Sequence, residues 1–365
     1  MLTLQLPTGR TTSAIPTDFS PGPAPATAPP GYAGGMIKVI AVVGPTAVGK
    51  SDLAVHLAEW LEERTGRRGE VINADSMQLY EGMDIGTAKL PEAERRGVPH
   101  HLLDIWDVHE PADVASYQTL ARERVEDCAD RDVIPVLVGG SGLYVRAVLD
   151  HMEFPGTDPE VRARLEAELS DLGPGLLHAR LAEADPDAAR TILPGNGRRI
   201  VRALEVIELT GQPFTANLPD HTSFYPCLQL GLTAPRPELD ERIDLRVEHM
   251  WDQGLLEEVR RLDKQGLRDG RTASKALGYA QALAQLDGEI SETEAKEQTA
   301  QATRRFARRQ ESWFRRDPRV RWLPYDAPNL LERAMAHVEA ALAGQSEDPG
   351  EALVDVATLL PNSQR

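Results

Sequence analysis

Only two cysteines occur in the 365 residues, Cys128 and Cys227, far apart and outside any CxxC spacing. That scarcity excludes a disulfide framework and a thiolate zinc site, and points to a reducing compartment, the cytoplasm. No apolar run reaches the roughly 18 residues of a membrane span, so no membrane partner is expected. No internal repeat is visible. Positive charge is in deficit too: 40 Lys and Arg against 57 Asp and Glu leave a formal net charge of −17. On average such a chain repels nucleic acid. Binding depends on local patches, however, and Thr303 to Trp322 holds eight arginines against Glu311 and Asp317. An RNA partner stays open.

The length suits one large domain, or a core carrying a smaller insertion, and a hydrophobic content of 41% is that of an ordinary globular protein. Residues 1–35 are rich in Pro, Ala, Thr and Gly and are expected to be disordered. They lack the pattern of a secretory signal. Met36 directly precedes the first strand and is a candidate start, which an intact mass of natively expressed protein would settle. Ile37–Val43 is nearly continuous apolar sequence, the mark of a strand buried on both faces. Strands at Glu70–Ala74 and Ile134–Val138 alternate with helical periodicity, which predicts a parallel α/β sheet. Residues 151–217 read as a helical insertion. An apolar strand at Cys227–Leu232 returns the chain to the sheet, helices are expected from Pro237 to Gly344, and 345–365 reads as a loose tail. The core is thus assigned to 36–150 and 218–344.

Gly44-Pro45-Thr46-Ala47-Val48-Gly49-Lys50-Ser51 matches GxxxxGK[ST] in full, with a strand before it and a helix after it. In such a loop glycines let backbone N–H groups turn toward phosphate oxygens, and the helix directs its positive end at them. Lys50 would neutralise terminal phosphate charge and the Ser51 hydroxyl would ligate Mg²⁺. The loop indicates diphosphate binding without specifying ATP. The second strand ends at Asp75, where open α/β sheets bind ligands; it is a metal ligand, a general base or a turn former. Arg246 has Arg242, Ile243, His249 and Met250 three and four residues away, none of them acidic. A like charge at i−4 without a counter-ion favours a bound anion there, against the alternative of a solvated surface arginine. Arg242 has Glu238 at i−4 and is expected to form an exposed pair with it. Adjacent His100 and His101 point to opposite faces of an extended segment, which together with Asp104 and His109 makes poor chelation geometry; zinc is rejected.

Taken together, GPTAVGKS (44–51), NADSMQLY (73–80), MDIGTAK (83–89), PHHLLDI (99–105), VGGSGLYVRAV (138–148), RRIVRALEV (198–206) and RRFARRQESWF (304–314) resemble the tRNA dimethylallyltransferase (tRNA isopentenyltransferase) family. Order and spacing agree from about Met36 to Trp322. The resemblance implies a P-loop nucleotide-kinase-like parallel sheet with a helical insertion that grips the tRNA anticodon stem-loop. It implies transfer of dimethylallyl from dimethylallyl diphosphate to N6 of the adenosine 3′ of the anticodon, in tRNAs reading codons that begin with U. Mg²⁺ would be required, and a monomer is expected.

Carried over, Asp75 is the general base, Ser141 stands at the family's usual threonine with its hydroxyl retained, and Arg246 faces the leaving diphosphate. A hydrogen bond from Ser141 would go to Asp75 or to the amine. Ser76, Met77 and Gln78 flank Asp75 along the pocket for the flipped-out base, and Gln78 can bond an adenine edge. Met77 departs from the commoner polar or basic residue. Arg198, Arg199, Ile200, Val201 and Arg202 form the RNA-contact segment, against the alternative of a solvated face partly paired with Glu205. Arg162 and Lys275 are weaker carry-overs, and Ala280 lacks the charge often found at its position. The arginines interleaved with Phe306, Trp313 and Phe314 suit nucleic acid, although such aromatics more often belong to a core. A small-molecule or nucleotide kinase and a non-catalytic P-loop RNA-binding protein are the competing readings. Phosphate release from ATP would favour the first, RNA binding without a covalent product the second.

Overall fold

The computed structural model describes residues 37–214 and 221–344. Expectations for 1–35, 215–220 and the 345–365 tail lie outside the described residues. Six strands, β1 (Val39–Val43), β2 (Gly69–Asn73), β3 (His100–His101), β4 (Ile134–Gly139), β5 (Cys227–Thr233) and β6 (Val320–Pro324), form one sheet in the order β3-β2-β4-β1-β5-β6. Every pairing is parallel. The central strand β1 is apolar at each position because both its faces are covered. Ile40 and Val42 pack with Leu53, Leu57 and Leu61 of α1 (Lys50–Thr65). Val39, Ala41 and Val43 face the other way, toward Tyr117 and Val125 of α2 (Val114–Asp130) and Val145 of α3 (Gly142–Leu149). All five β1 side chains are buried.

Beyond α3, three helices build a separate apolar core. They are α4 (Pro159–Ala184), α5 (Pro186–Thr191) and α6 (Gly197–Thr210), which pack around Leu165, Leu177, Leu181, Ile200 and Leu204. Helix α4 breaks at Gly173 (φ 78°, ψ 164°), where Pro174 follows and cannot continue the hydrogen-bond ladder. The chain leaves and re-enters the sheet side by side: His151 N–H donates to the Thr222 carbonyl at 3.0 Å and Phe224 N–H to that of Leu149 at 2.7 Å. Next come α7 (Arg236–Asp252), α8 (Leu255–Lys264), α9 (Tyr279–Leu286) and α10 (Glu292–Phe314), and after β6 lies α11 (Leu330–Leu342). Helices α7 to α10 share a third core with Tyr80 and Met83.

Two strands depart from the sequence reading. The two-residue β3 places Ile134–Gly139 fourth in the chain, and β6 interrupts the stretch expected to be helical. β6 follows the Asp317-Pro318 turn inside an arginine-rich run, and only its pairing with β5, from Gln229↔Val320 to Thr233↔Pro324, reveals it. Half of the arginine stripe is taken up by carboxylates, at the β6 corner or on α7. Arg319 binds Asp150 at 2.6 Å and Asp317 at 2.5 Å. Arg315 pairs with Glu311 at 2.7 Å, Arg308 with Asp240 at 3.7 Å, and Arg304 with Asp244. Phe314 is core, while Trp313 is partly exposed.

In the insertion, Glu205 has no exposed surface and is shared by Arg162 and Arg202. Removing one member of such a cluster strands the other charges. Glu205→Ala is expected to lower unfolding free energy by about 3 kcal/mol, read as a fall in the urea midpoint. A change of a few tenths would show that the two arginines find other partners.

Candidate active site

The P-loop runs from the end of β1 into α1. Gly44 takes φ 137°, and a Cβ there would lie 2.6 Å from the Leu232 carbonyl oxygen, so only glycine lets the loop pass β5 this closely. Ala47 at the loop's crest is also left-handed, with φ 66°. Such strain persists only where surroundings over-determine it, and two helices supply the restraint. From α7, Arg242 Nε donates to the Ala47 carbonyl at 2.8 Å while its guanidinium lies over the Tyr325 ring. The expected Arg242–Glu238 pair does not form; Glu238 instead accepts from the Tyr325 hydroxyl at 2.8 Å. From α10, Gln310 Oε1 accepts from Thr46 N–H at 2.8 Å.

Behind the crest, Lys50 Nζ donates to the Pro45 carbonyl at 2.6 Å. Burial pushes the Lys50 ammonium down to about 8, with the Asp75 charge raising it and Arg246 lowering it further. Arg246 Nη1 lies 3.3 Å from Thr46 Oγ1, and burial followed by Arg242 holds its pKa below the usual arginine range. Among the described residues no acidic partner of Arg246 is found. Two half-buried cations, Lys50 and Arg246, against one loop with a single nearby carboxylate, Asp75, favour a bound anion there.

Asp75 sits just past β2, fixed by its own turn. Asn73 Oδ1 accepts from Asp75 N–H at 2.9 Å, and Asp75 Oδ1 accepts from Met77 N–H at 3.0 Å. Burial raises its carboxyl pKa, opposed by the Met77 N–H and the Lys50 charge. Ser141, the residue before α3, accepts from Ser76 N–H at 3.2 Å and lies 3.4 Å from the Ser76 hydroxyl. In this structure Ser141 therefore contacts Ser76, with no hydrogen bond to Asp75. Gln78 Nε2 donates to the Thr87 carbonyl at 3.1 Å, which fixes the amide against the 83–89 loop. That loop folds around two buried charges. Lys89 binds Asp84 at 2.7 Å and Asp104 at 2.5 Å, and Glu258 accepts from the Asp84, Ile85 and Gly86 N–H groups and the Tyr279 hydroxyl.

Thr46, Ala47, Gly49, Lys50, Ser51, Asp75, Gln78 and Arg246 line one cavity of about 650 Å³, whose apolar wall includes Val71, Leu103, Val138 and Met250. The structure thus gathers the loop, the carboxylate and the arginine from three distant parts of the chain. Ser76 and Met77 lie beside it, Met77 packing partly on the core of α7 to α10. Further off, Arg198, Arg199 and Lys275 are exposed. Ile200 and Val201, expected along the RNA face, point into the insertion's own core, 0% and 1% exposed. This is the inward stripe of an amphipathic helix, so their side chains cannot meet RNA. Arg162 and Arg202 are tied to Glu205, and Arg202 also donates to the Pro155 and Gly156 carbonyls. Their first role is structural.

Glu70, His101 and Cys128 also cluster, with ligand atoms within 4.8 Å. Both Glu70 oxygens are taken by Arg131, at 2.8 and 2.7 Å, and the Cys128 thiol is pushed up to about 12 by burial and by Glu70. A protonated thiol and a paired carboxylate make an ion-pair node, not a metal site. Sequence reasoning placed Arg242 in a surface pair and passed over Gln310 and Glu258. Gln310 lies within RRFARRQESWF, where no local pattern distinguishes its amide from a surface one.

A parallel sheet with a phosphate loop at the carboxyl end of its central strand defines the P-loop α/β class. Within that class, residues 78–317 match the IPP transferase family. A tRNA dimethylallyltransferase of Thermobifida fusca is 71% identical over 303 residues, covering 83% of this chain and 95% of the relative. One from Streptomyces coelicolor is 66% identical over 305 residues, covering 83% and 96%. Among solved structures, the full-length tRNA isopentenylpyrophosphate transferase of Bacillus halodurans is 39% identical with a TM-score of 0.61, covering 84% of this chain and 97% of that one. A eukaryotic dimethylallyltransferase acting on tRNA gives a TM-score of 0.74 at 26% identity, covering 88% and 83%. The chain belongs to the IPP transferase family.

The lowered Lys50 pKa has a definite sign. Its ammonium is fully present well below pH 8 and lost as pH rises through about 8 in the donor-free protein. Pyrophosphate affinity is therefore expected to fall above that pH relative to Lys50→Arg, whose guanidinium stays charged. Calorimetric titration from pH 7 to 9.5 checks this; parallel curves for the two proteins would remove Lys50 as the titrating cation.

Proposed function

We propose that this chain transfers a dimethylallyl group from dimethylallyl diphosphate to N6 of the adenosine 3′-adjacent to the anticodon, in tRNAs reading codons that begin with U, with release of diphosphate. One observation carries the reading: Asp75, with its raised pKa, shares a cavity with a phosphate loop, Lys50 and Arg246, and Arg246 has no acidic partner among the described residues. The N6 amine attacks C1 of the donor, and the C1–O bond breaks with its electron pair leaving on the diphosphate. Loop N–H groups, Lys50 and Arg246 take up that charge where it develops. Asp75 removes the amine proton, which matters because the amine's lone pair is delocalised into the ring. The apolar wall suits the dimethylallyl group.

Ser51 lines the cavity next to Lys50. Its hydroxyl, together with diphosphate oxygens, is a hard oxygen donor set that fits Mg²⁺. Bound there, the ion would offset diphosphate charge in the leaving group. On the acceptor side, Gln78 meets the edge of the flipped-out base, with Ser76 and Ser141 flanking it. The backbone of the anticodon stem-loop lies along Arg198 and Arg199, with Arg202 and Arg162 bracing that helix face and Lys275 a further contact. We place the reaction in the cytoplasm, carried out by a monomer. Membership in the IPP transferase family, whose name gives an isoprenoid rather than a phosphoryl group as the one transferred, speaks against the kinase and the non-catalytic alternatives.

Two measurements test this. With donor, Mg²⁺ and unmodified tRNA, mass spectrometry of the digested RNA is expected to find prenylated adenosine. Asp75→Ala should lower that rate by about 10²–10⁴-fold while tRNA affinity stays within a few-fold. A fully active variant removes Asp75 from the mechanism. Replacing Arg198 and Arg199 together by Ala should shallow the dependence of log K for tRNA on log salt by about 1.5; an unchanged slope places the RNA elsewhere.

A further inference from the structure

Gln310 lies outside the cavity, in α10, and is 4% exposed. Its amide makes two bonds to different segments. Oε1 accepts from Thr46 N–H in the P-loop at 2.8 Å, and Nε2 donates to the Gly140 carbonyl at 3.0 Å. Gly140 precedes Ser141 in the turn between β4 and α3, so one side chain spans the diphosphate loop and the turn bordering the acceptor. The fit admits no slack. A Cβ on Gly140 would lie 2.2 Å from Gln310 Nε2 and 3.2 Å from the Gly44 carbonyl oxygen. Both bonded groups are backbone, and neither has this partner replaced easily in a dry interior.

We propose that Gln310 is a positioning residue for transfer: it sets the separation between the P-loop and the β4–α3 turn, and with it the line from acceptor amine to leaving diphosphate. This rests on the reading of the P-loop as donor site and of Asp75 and Ser141 as the acceptor side. A misplacement of about 1 Å remote from the reacting atoms can cost on the order of 10²-fold in rate. Arg198 and Arg199, proposed above to carry the stem-loop backbone, lie on α6, whereas both Gln310 hydrogen bonds go to the P-loop and the β4–α3 turn.

The test is a double-mutant cycle on the full chain, Gln310→Leu and Gly140→Ala singly and together. Single-turnover transfer is followed at saturating donor and tRNA, with tRNA affinity and the thermal midpoint measured alongside. Each single change is expected to slow transfer about 30- to 100-fold, with tRNA affinity within about three-fold. The double variant should be no more than about three-fold slower than the worse single, because both changes break one contact. Losses that multiply in the double variant, or a folded Gln310→Leu within three-fold of the parent rate, overturn the proposal. Should Gln310→Leu not fold, Gln310→Glu keeps the acceptor for Thr46 N–H and enters the same cycle. Pyrophosphate competition against Lys50→Ala reports separately: competition unaffected by that change would sink the donor-site reading and not the Gln310 contact.

Discussion

Everything at the carboxyl end of the sheet is organised around two half-buried positive charges, Lys50 and Arg246, set against one loop. Burial lowers the Lys50 ammonium to about 8, and Arg246 faces the same loop without an acidic partner among the described residues. Such groups are costly to desolvate. Their cost is met by rigidity around them: the α1 start, the Arg242 contact with the Ala47 carbonyl and the Gln310 bridge. On the proposed reading, such a preorganised cationic cradle would stabilise charge appearing on a leaving diphosphate with little rearrangement at the moment of reaction. The same rigidity keeps Asp75 poised across the cavity.

The opposing −17 net charge is no contradiction. Arginines in this chain divide into two populations. Arg162, Arg202, Arg304, Arg315 and Arg319 are occupied by carboxylates and hold helices or the β6 corner in place. Arg198 and Arg199 project from α6 with no acidic partner among the described residues. Arg305, Arg309 and Arg316 of the 304–321 stripe are likewise exposed without an acidic partner among the described residues, so both segments carry arginines open to phosphates. Density of arginine along a sequence is thus a poor guide to an RNA surface, because burial of one carboxylate such as Glu205 recruits two of them inward.

Local signals were legible where backbone chemistry writes directly into residue type. GxxxxGKS between an apolar run and a helix has few solutions, and a carboxylate at the end of the next strand is placed by topology alone. The absence of an acidic partner for Arg246 could be read from helical spacing because α7 is regular there. Arg242 failed the same test. Its i−4 glutamate was present, but Tyr325, more than eighty residues away, holds Glu238 and leaves the guanidinium to the P-loop. Ile200 and Val201 were assigned by motif, yet helical periodicity alone marks them as inward-facing.

The amino-acid sequence by itself determined the parallel α/β core, the phosphate loop, the helical insertion and the place of Asp75 at the end of the second strand, since each follows from patterns a few residues long. Tertiary structure alone decided which arginines are spent on the fold, that β6 exists, that Ser141 contacts Ser76, and that Gln310 and Glu258 pin the two sides of the cavity. The physical reason is range. A strand or cradle is specified by neighbours in sequence, whereas the partner of a buried polar group is set by whichever distant segment the packing brings within about 3 Å.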